Sequence, residues 1–326
     1  MFRLRMHDRG MRRNSQVRRF LAVLAALSLI ITACGSDSGD TTSTTAATST
    51  TTLPVTTTQG PEPTTTTTSG ATSTTQVESV GHVVYFLLAE LDDDDGSPGP
   101  FLVPVYREGP STDEAALTAL QLLVEGPTPD ETAGTPTIST AIPEGTSVNG
   151  VTVEAGLATV DLGTEYDDGG GSFGMFARLA QVVYTLTRLP DIDEVSFSID
   201  GEPVTVFSSE GIGLDGPQQR EDYYDLLPPI FVDSPVWGEP VTSPIQAKGL
   251  SNVFEAVSQI MLTDDDGLPL FEETVMASCG TGCWGEWEVS VPYTVERDQV
   301  GALIVWEYSA KDGSRINIRE YPILLR

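Results

Sequence analysis

The stretch GSFGMFARLAQVVYTLTRLPDIDEVSFSIDGEPVTVF, residues 171–207, passes from a helical to a strand pattern and decides the class of the folded region. Its first half sets Phe173, Phe176, Leu179, Ala180, Val183 and Leu186 at helical spacing. This predicts a helix from the Gly169-Gly170-Gly171-Ser172 turn to about Arg188, with Ser172 as N-cap. Its second half predicts two strands, Glu194 to Ile199 and Pro203 to Phe207, joined at Asp200-Gly201, a dipeptide suited to a tight hairpin. Upstream, Thr146 to Glu154 and Leu157 to Leu162 predict another hairpin around Ala155-Gly156, with Val148, Val151 and Val153 facing Ala158, Val160 and Leu162. Farther upstream, His82 to Leu88 reads as a buried strand, and Phe101 to Tyr106 as its return, with Pro104 marking a sheet edge. Ser111 to Glu114 has the form of a capping box opening a helix over Ala116, Leu117, Leu120, Leu123 and Val124, which Gly126-Pro127 ends. The order β-β-α-β-β-α-β-β over residues 81–210 describes an α+β unit of helices on a mixed sheet.

Downstream, residues 211–227 are polar and acidic and predict a linker. From Pro228 the pattern changes to short strand-like runs with turn signals between them and no helical period. These are Ile230 to Val232, Ile245 to Ala247, Phe254 to Met261, Trp287 to Val291, Ala302 to Tyr308 and Ile316 to Leu325. They predict an all-β, immunoglobulin-like antiparallel sandwich over residues 228–326. All four Trp (237, 284, 287 and 306) fall in this second unit.

At the N-terminus, Arg12, Arg13, Arg18 and Arg19 precede an apolar run from Phe20 to Ile31, and Thr32-Ala33-Cys34-Gly35 follows it. A basic start, a short apolar run and small residues before a cut form a secretory signal. With Cys34 at the first mature position, residues 1–33 resemble a bacterial lipoprotein signal. The resemblance implies that Cys34 carries lipid (palmitate among the expected acyl groups) and that the protein is held on the extracytoplasmic face of the cell membrane. Residues 34–80 are dominated by Thr with Ser, Ala, Gly and Pro, which cannot bury apolar surface and so predict a disordered stalk. Such a coil reaches roughly 35–40 Å on root-mean-square.

Charge narrows the function. The chain has 326 residues and a formal net charge of −30. Without residues 1–33, 10 basic and 46 acidic residues remain, a net charge of −36. That excludes phosphate neutralisation as a binding mode, hence nucleic acid, and gives no purchase on anionic headgroups, leaving the lipid to hold the membrane. The only His residues are His7 and His82, too few for a multi-His metal site, and any Ser-His-Asp triad would need His82. No catalytic residue, metal or cofactor is assigned.

Five motifs offer candidate chemistry. Gly169-Gly170-Gly171-Ser172 precedes a helix but lacks the Lys of a phosphate loop, so it reads as a tight turn. Asp92 to Asp95 and Asp264-Asp265-Asp266-Gly267 lack EF-hand spacing and read as acidic turns, the second a hairpin. Cys279 and Cys283 have no second pair to complete a zinc site and are expected to form a disulfide in an oxidising compartment. Trp284, Trp287 and Trp306 fit either core packing or a contact face for wall glycan or a partner.

Residues 82–210 resemble the GerMN domain, named from a bacterial spore-germination protein. The resemblance is carried by Val84-Tyr85-Phe86, Ala119 to Leu123 with Gly126-Pro127-Thr128, Thr140 to Thr146, Val160-Asp161-Leu162, Gly170-Gly171-Ser172, Gln181 to Thr187 and Asp200-Gly201. Residues 228–326 are similar to the Gmad-type immunoglobulin-like domain through Ser234-Pro235, Ser243-Pro244, Gly249, Asn252 to Ala256, Gly285 and Ser309 to Ser314. The resemblance implies no catalytic residues and no cofactor. It implies a sporulation- or germination-related family. Together with the anchor, the stalk and the missing catalytic set it points to a non-enzymatic scaffold or accessory subunit binding envelope proteins, with a peptidoglycan-binding module or a ring-forming homo-oligomer through residues 82–210 as the alternatives.

Overall fold

The computed structural model describes residues 78–89, 99–207 and 211–326. The signal segment, Cys34, the stalk up to residue 77 and the Asp92–Asp95 loop lie outside them.

The first domain opens with β1 (Ser79–Leu88) and β2 (Phe101–Pro110), then α1 (Ala115–Val124), α2 (Pro129–Ala133) and β3 (Ile138–Ser139). It continues through β4 (Val148–Glu154), β5 (Gly156–Leu162), α3 (Gly171–Leu186) and β6 (Ile192–Ile199), and ends with β7 (Glu202–Pro203), β8 (Val206–Phe207) and β9 (Ile212–Gly213). It is α+β, but the strands form two main sheets instead of the one expected. One is antiparallel with order β2-β1-β3. The other has order β4-β5-β6-β7 with β5 and β6 parallel. The division has a physical cause in α3. Away from β2, β1 has a strand beside it only at Leu87 and Leu88. At Tyr85 the helix takes over: Gln181 Nε2 donates to the Tyr85 carbonyl (2.9 Å), and the Tyr85 N–H donates to Thr185 Oγ1 (3.1 Å). Two polar side chains thus satisfy backbone groups that a further strand would have paired.

The β4–β5 hairpin has the expected register, with Val148, Val151 and Val153 opposite Leu162, Val160 and Ala158, and the left-handed Ala155-Gly156 pair at its turn. Elsewhere the boundaries shift. The Ser111 N–H donates to the Glu78 carbonyl (2.7 Å), prolonging the β1–β2 pairing, so α1 starts only at Ala115 with no side-chain cap. The capping box lies instead at α2, where Thr128 and Glu131 bond each other's backbone N–H. The N-cap of α3 is Gly170 and not Ser172, because Gly169, Gly170 and Gly171 all take left-handed φ values. Arg178, buried in α3, donates to the carbonyls of Asp168 (3.0 Å) and Gly169 (3.1 Å), so a side chain of the protein itself fills that turn. From Ala177 to Leu186 every residue of α3 is buried, a central helix and not the one-sided stripe expected. Phe173, in the first turn, is 50% exposed.

The expected strand 203–207 is split: β7 pairs with β6, and β8 pairs with β9. The expected linker 211–227 is packed. Val195 and Gln218 exchange backbone hydrogen bonds (2.9 and 2.7 Å), and a 3-10 segment, Arg220–Leu226, buries Tyr223 and Leu226.

The second domain comprises β10 (Ile230–Ser234), β11 (Pro240–Val241), β12 (Ile245–Ser251), β13 (Val257–Thr263), β14 (Pro269–Met276), β15 (Gly285–Val291), β16 (Gln299–Tyr308) and β17 (Arg315–Leu325). It is the immunoglobulin-like all-β sandwich expected, with sheets β10-β12-β15 and β11-β17-β16-β13-β14. Val232, Ala247, Trp287 and Val291 of the first sheet share a core with Ile260, Leu262, Leu303, Val305, Tyr321 and Ile323 of the second. The strand expected from Phe254 begins at Val257, because Glu255 and Ala256 adopt positive φ. The β13–β14 turn falls at Asp264–Gly267 as read, with Asp264 Oδ1 accepting the N–H groups of Asp266 (3.0 Å) and Leu268 (2.8 Å).

Candidate functional site

The most elaborate polar cluster lies where the two domains meet. Tyr85 projects from β1, with its ring centroid 5.3 Å from Tyr184 of α3 and 6.5 Å from Phe231 of β10. The Arg220 guanidinium lies over both tyrosine rings, at 5.4 and 4.8 Å. At the centre is Asp233. Its carboxylate accepts the Tyr85 hydroxyl (2.6 Å), Arg188 Nη1 and Arg220 Nη1 (3.2 Å). Arg220 also donates to Thr187 Oγ1 (2.8 Å) and the Tyr184 carbonyl (3.1 Å). Burial alone would raise the Asp233 carboxyl, but Arg220 and Arg188 outweigh it and hold it below the usual carboxylate value. Burial, reinforced by Asp233, holds the Tyr85 hydroxyl above its ordinary value, so it remains a donor. Two guanidinium groups from the first part of the chain share the one carboxylate of Asp233, an arrangement suited to fastening one domain to the other.

A second fastening is made by backbone. Trp237 donates to the Pro104 carbonyl (3.0 Å) and accepts the Tyr106 N–H (2.9 Å), covering the outer edge of β2. Pro104 therefore marks a strand at the edge of its sheet that the second domain extends. Arg319 of β17 lies over the Phe101 ring at 4.9 Å.

The residues singled out from sequence fall elsewhere. Cys34 is outside the described residues. Cys279 and Cys283 are joined in a disulfide. Their loop is pinned to the Asn252–Ala256 loop by Thr281 N–H to the Val253 carbonyl (2.9 Å) and Gly282 N–H to Asn252 Oδ1 (2.8 Å). Trp287 is buried in the sandwich core, and Trp306 is fully buried. Trp284 is half-buried, 5.5 Å from the Tyr224 ring. The three do not form an open stacking platform, because β-sheet packing shields two of them. His82 is buried with Nε2 3.2 Å from the Pro110 carbonyl. Among the described residues no group of three or more His, Cys, Asp or Glu is placed to hold a metal ion, and no helix is long and apolar enough to cross a membrane.

Sequence reading missed the joint because its members are scattered from Tyr85 to Trp237. The available signal was Arg220: a rare cation in an acidic chain, set inside a segment that otherwise reads as linker.

Residues 83–205 match the Germane family, described as sporulation and spore germination, and residues 229–314 match Gmad2, the immunoglobulin-like domain of bacterial spore germination. The chain carries a Germane domain followed by a Gmad2 domain. Tyr85 and Arg188 lie within the Germane match, Asp233 and Trp237 within the Gmad2 match, and Arg220 between them. Similar solved structures include the first GerMN domain of the sporulation protein GerM from Bacillus subtilis, at 20% identity and a TM-score of 0.35, covering 44% of this chain and 99% of that one. The tandem GerMN domains of the same protein align at 16% identity and a TM-score of 0.36, over 67% of this chain and 63% of that one. A Clostridium perfringens protein described as a lipoprotein aligns at 18% identity and a TM-score of 0.31, over 46% and 93% of the two chains. No curated protein sequence matches.

Proposed function

We propose that this chain is a non-enzymatic, lipid-anchored envelope protein of the extracytoplasmic face, and that its Germane and Gmad2 domains bind other envelope proteins as a scaffold or accessory subunit. The descriptions of both matched families, sporulation and spore germination, support a role related to those processes. The observation that carries it is the joint. Tyr85, Arg188, Arg220 and Asp233 fasten the two domains to each other, with Tyr85, Arg188 and Arg220 all bonded to the one carboxylate of Asp233. The anchor rests on Cys34 directly after the apolar run Phe20 to Ile31. Of the three Trp that suggested glycan contact only Trp284 retains open surface, which favours protein partners over wall polymer.

In cells, the full chain is expected to incorporate radiolabelled palmitate and sediment with membranes. Cys34→Ala should lose the label and pass into the medium, or remain as the larger uncleaved form. A processed, membrane-bound Cys34→Ala protein at parental level would overturn the anchor. Wall-substrate turnover by the purified full chain, abolished by His82→Ala, would overturn the non-enzymatic reading.

A further inference from the structure

We infer that the outward face of the five-stranded sheet docks a partner protein that sets an apolar ridge carrying a carboxylate against Arg315. The inference rests on the scaffold reading and names the surface that does the binding.

Register places Val257, Gln259 and Met261 of β13 on one face with Met276, Thr274 and Glu272 of β14 and with Ile304 and Trp306 of β16. Tyr308 follows two residues after Trp306 and shares that face. The alternate residues Ile260, Leu262, Val275, Leu303 and Val305 belong to the core, so this face looks outward. An outward sheet face is ordinarily polar. Here Met276 is 73% and Tyr308 47% exposed, and Val257, Met261 and Ile304 are half-buried.

Trp306 is the unusual member. It is 0% exposed yet stands apart from the core cluster, covered from outside by side chains of its own sheet. The Arg315 guanidinium lies 4.2 Å from its ring centroid, and the Tyr308 ring meets it edge-on at 6.4 Å. Its indole N–H has no hydrogen-bond partner among the described residues. Arg315 is exposed and has no ion-pair partner among them, whereas Arg107, Arg188, Arg220 and Arg297 all hold carboxylates. In so acidic a chain, a cation held on an aromatic ring without an acid is complementary to a carboxylate from elsewhere. Tyr, Arg and Met, which this face exposes as Tyr308, Arg315 and Met276, are also residue types concentrated at protein interfaces. A second copy of this chain would bring a net charge of −36 against its like, and a glycan would need an open ring face that Trp306 does not offer.

The test uses the full chain in its own cells, with a photoreactive phenylalanine analogue placed at Met276, at Tyr308 or, as control, at Val153 on the edge of the first domain. A protease-sensitive adduct is expected from positions 276 and 308 but not 153. Arg315→Glu should reduce it about tenfold or more, and Arg315→Lys should largely preserve it. Met276 is far enough exposed that Met276→Glu leaves folding intact, and with the analogue at position 308 it should reduce the adduct as well. An adduct of twice the chain's own mass, one removed by a wall-degrading enzyme, or one insensitive to Arg315→Glu would overturn the inference. Adducts from position 153 alone would overturn it while leaving the scaffold reading intact; adducts from no position would overturn both.

Discussion

An Asp233→Ala variant unfolds about 3 kcal/mol more easily than the parent chain. Removing one partner of a buried ion pair strands the other, at a typical cost of about 3–5 kcal/mol. The lower end applies because the side chains of Asp233, Arg188 and Arg220 keep 17–23% of their surface exposed. Two guanidinium groups and the Tyr85 hydroxyl lose their acceptor together. Urea unfolding followed by far-UV circular dichroism for both domains and by tryptophan fluorescence for the second, which holds all four Trp, should show one coincident transition in the parent, and an earlier or divided one in the variant as the domains melt separately. An unchanged midpoint and slope would show that the joint holds nothing. The effect has a defined pH dependence. The folded Asp233 carboxyl lies below its ordinary value, so its contribution is complete above the unfolded value of about 4 and is lost as pH falls through the folded value. The gap between parent and variant therefore closes in acid.

Gln181→Leu has an effect of similar size for a different reason. Gln181 is fully buried; it donates to the Tyr85 carbonyl (2.9 Å) and accepts the Ala141 N–H (2.8 Å). Leucine fills the space but leaves the buried Tyr85 carbonyl and the half-buried Ala141 N–H without their partner, at about 1–3 kcal/mol each, with Ala141 at the low end. A total loss near 3 kcal/mol in equilibrium unfolding is expected. A loss below about 1 kcal/mol would mean that water reaches β1 at Tyr85.

The β4–β5 hairpin was legible because its pattern is local: alternating Val residues meet across a turn whose left-handed conformations suit Ala155-Gly156. The two-domain order was legible because the period of apolar residues changes at Pro228. The central position of α3 was not, since Gln181, Thr185 and Arg178 read as polar punctuation on an apolar stripe. Only the tertiary structure shows that they bond the backbone of β1 and of the glycine turn. The joint was hidden by distance along the chain and by Arg220 lying among acidic neighbours. Trp306 was ambiguous because strand alternation separates two faces without saying which is covered. The structure answers in an unexpected way, burying it on the outward face beneath Arg315.

The bond between Tyr85 and Asp233 spans 148 residues, and Trp237 reaches back 133 and 131 residues to close over Pro104 and Tyr106. Synthesis runs from the N-terminus, so the first domain can form while the strand that shelters its border is still unmade. During that interval β2 presents a bare template to any neighbouring chain. The second domain therefore has a task before any partner is met: it covers that border at Pro104 to Tyr106 once residue 237 is in place.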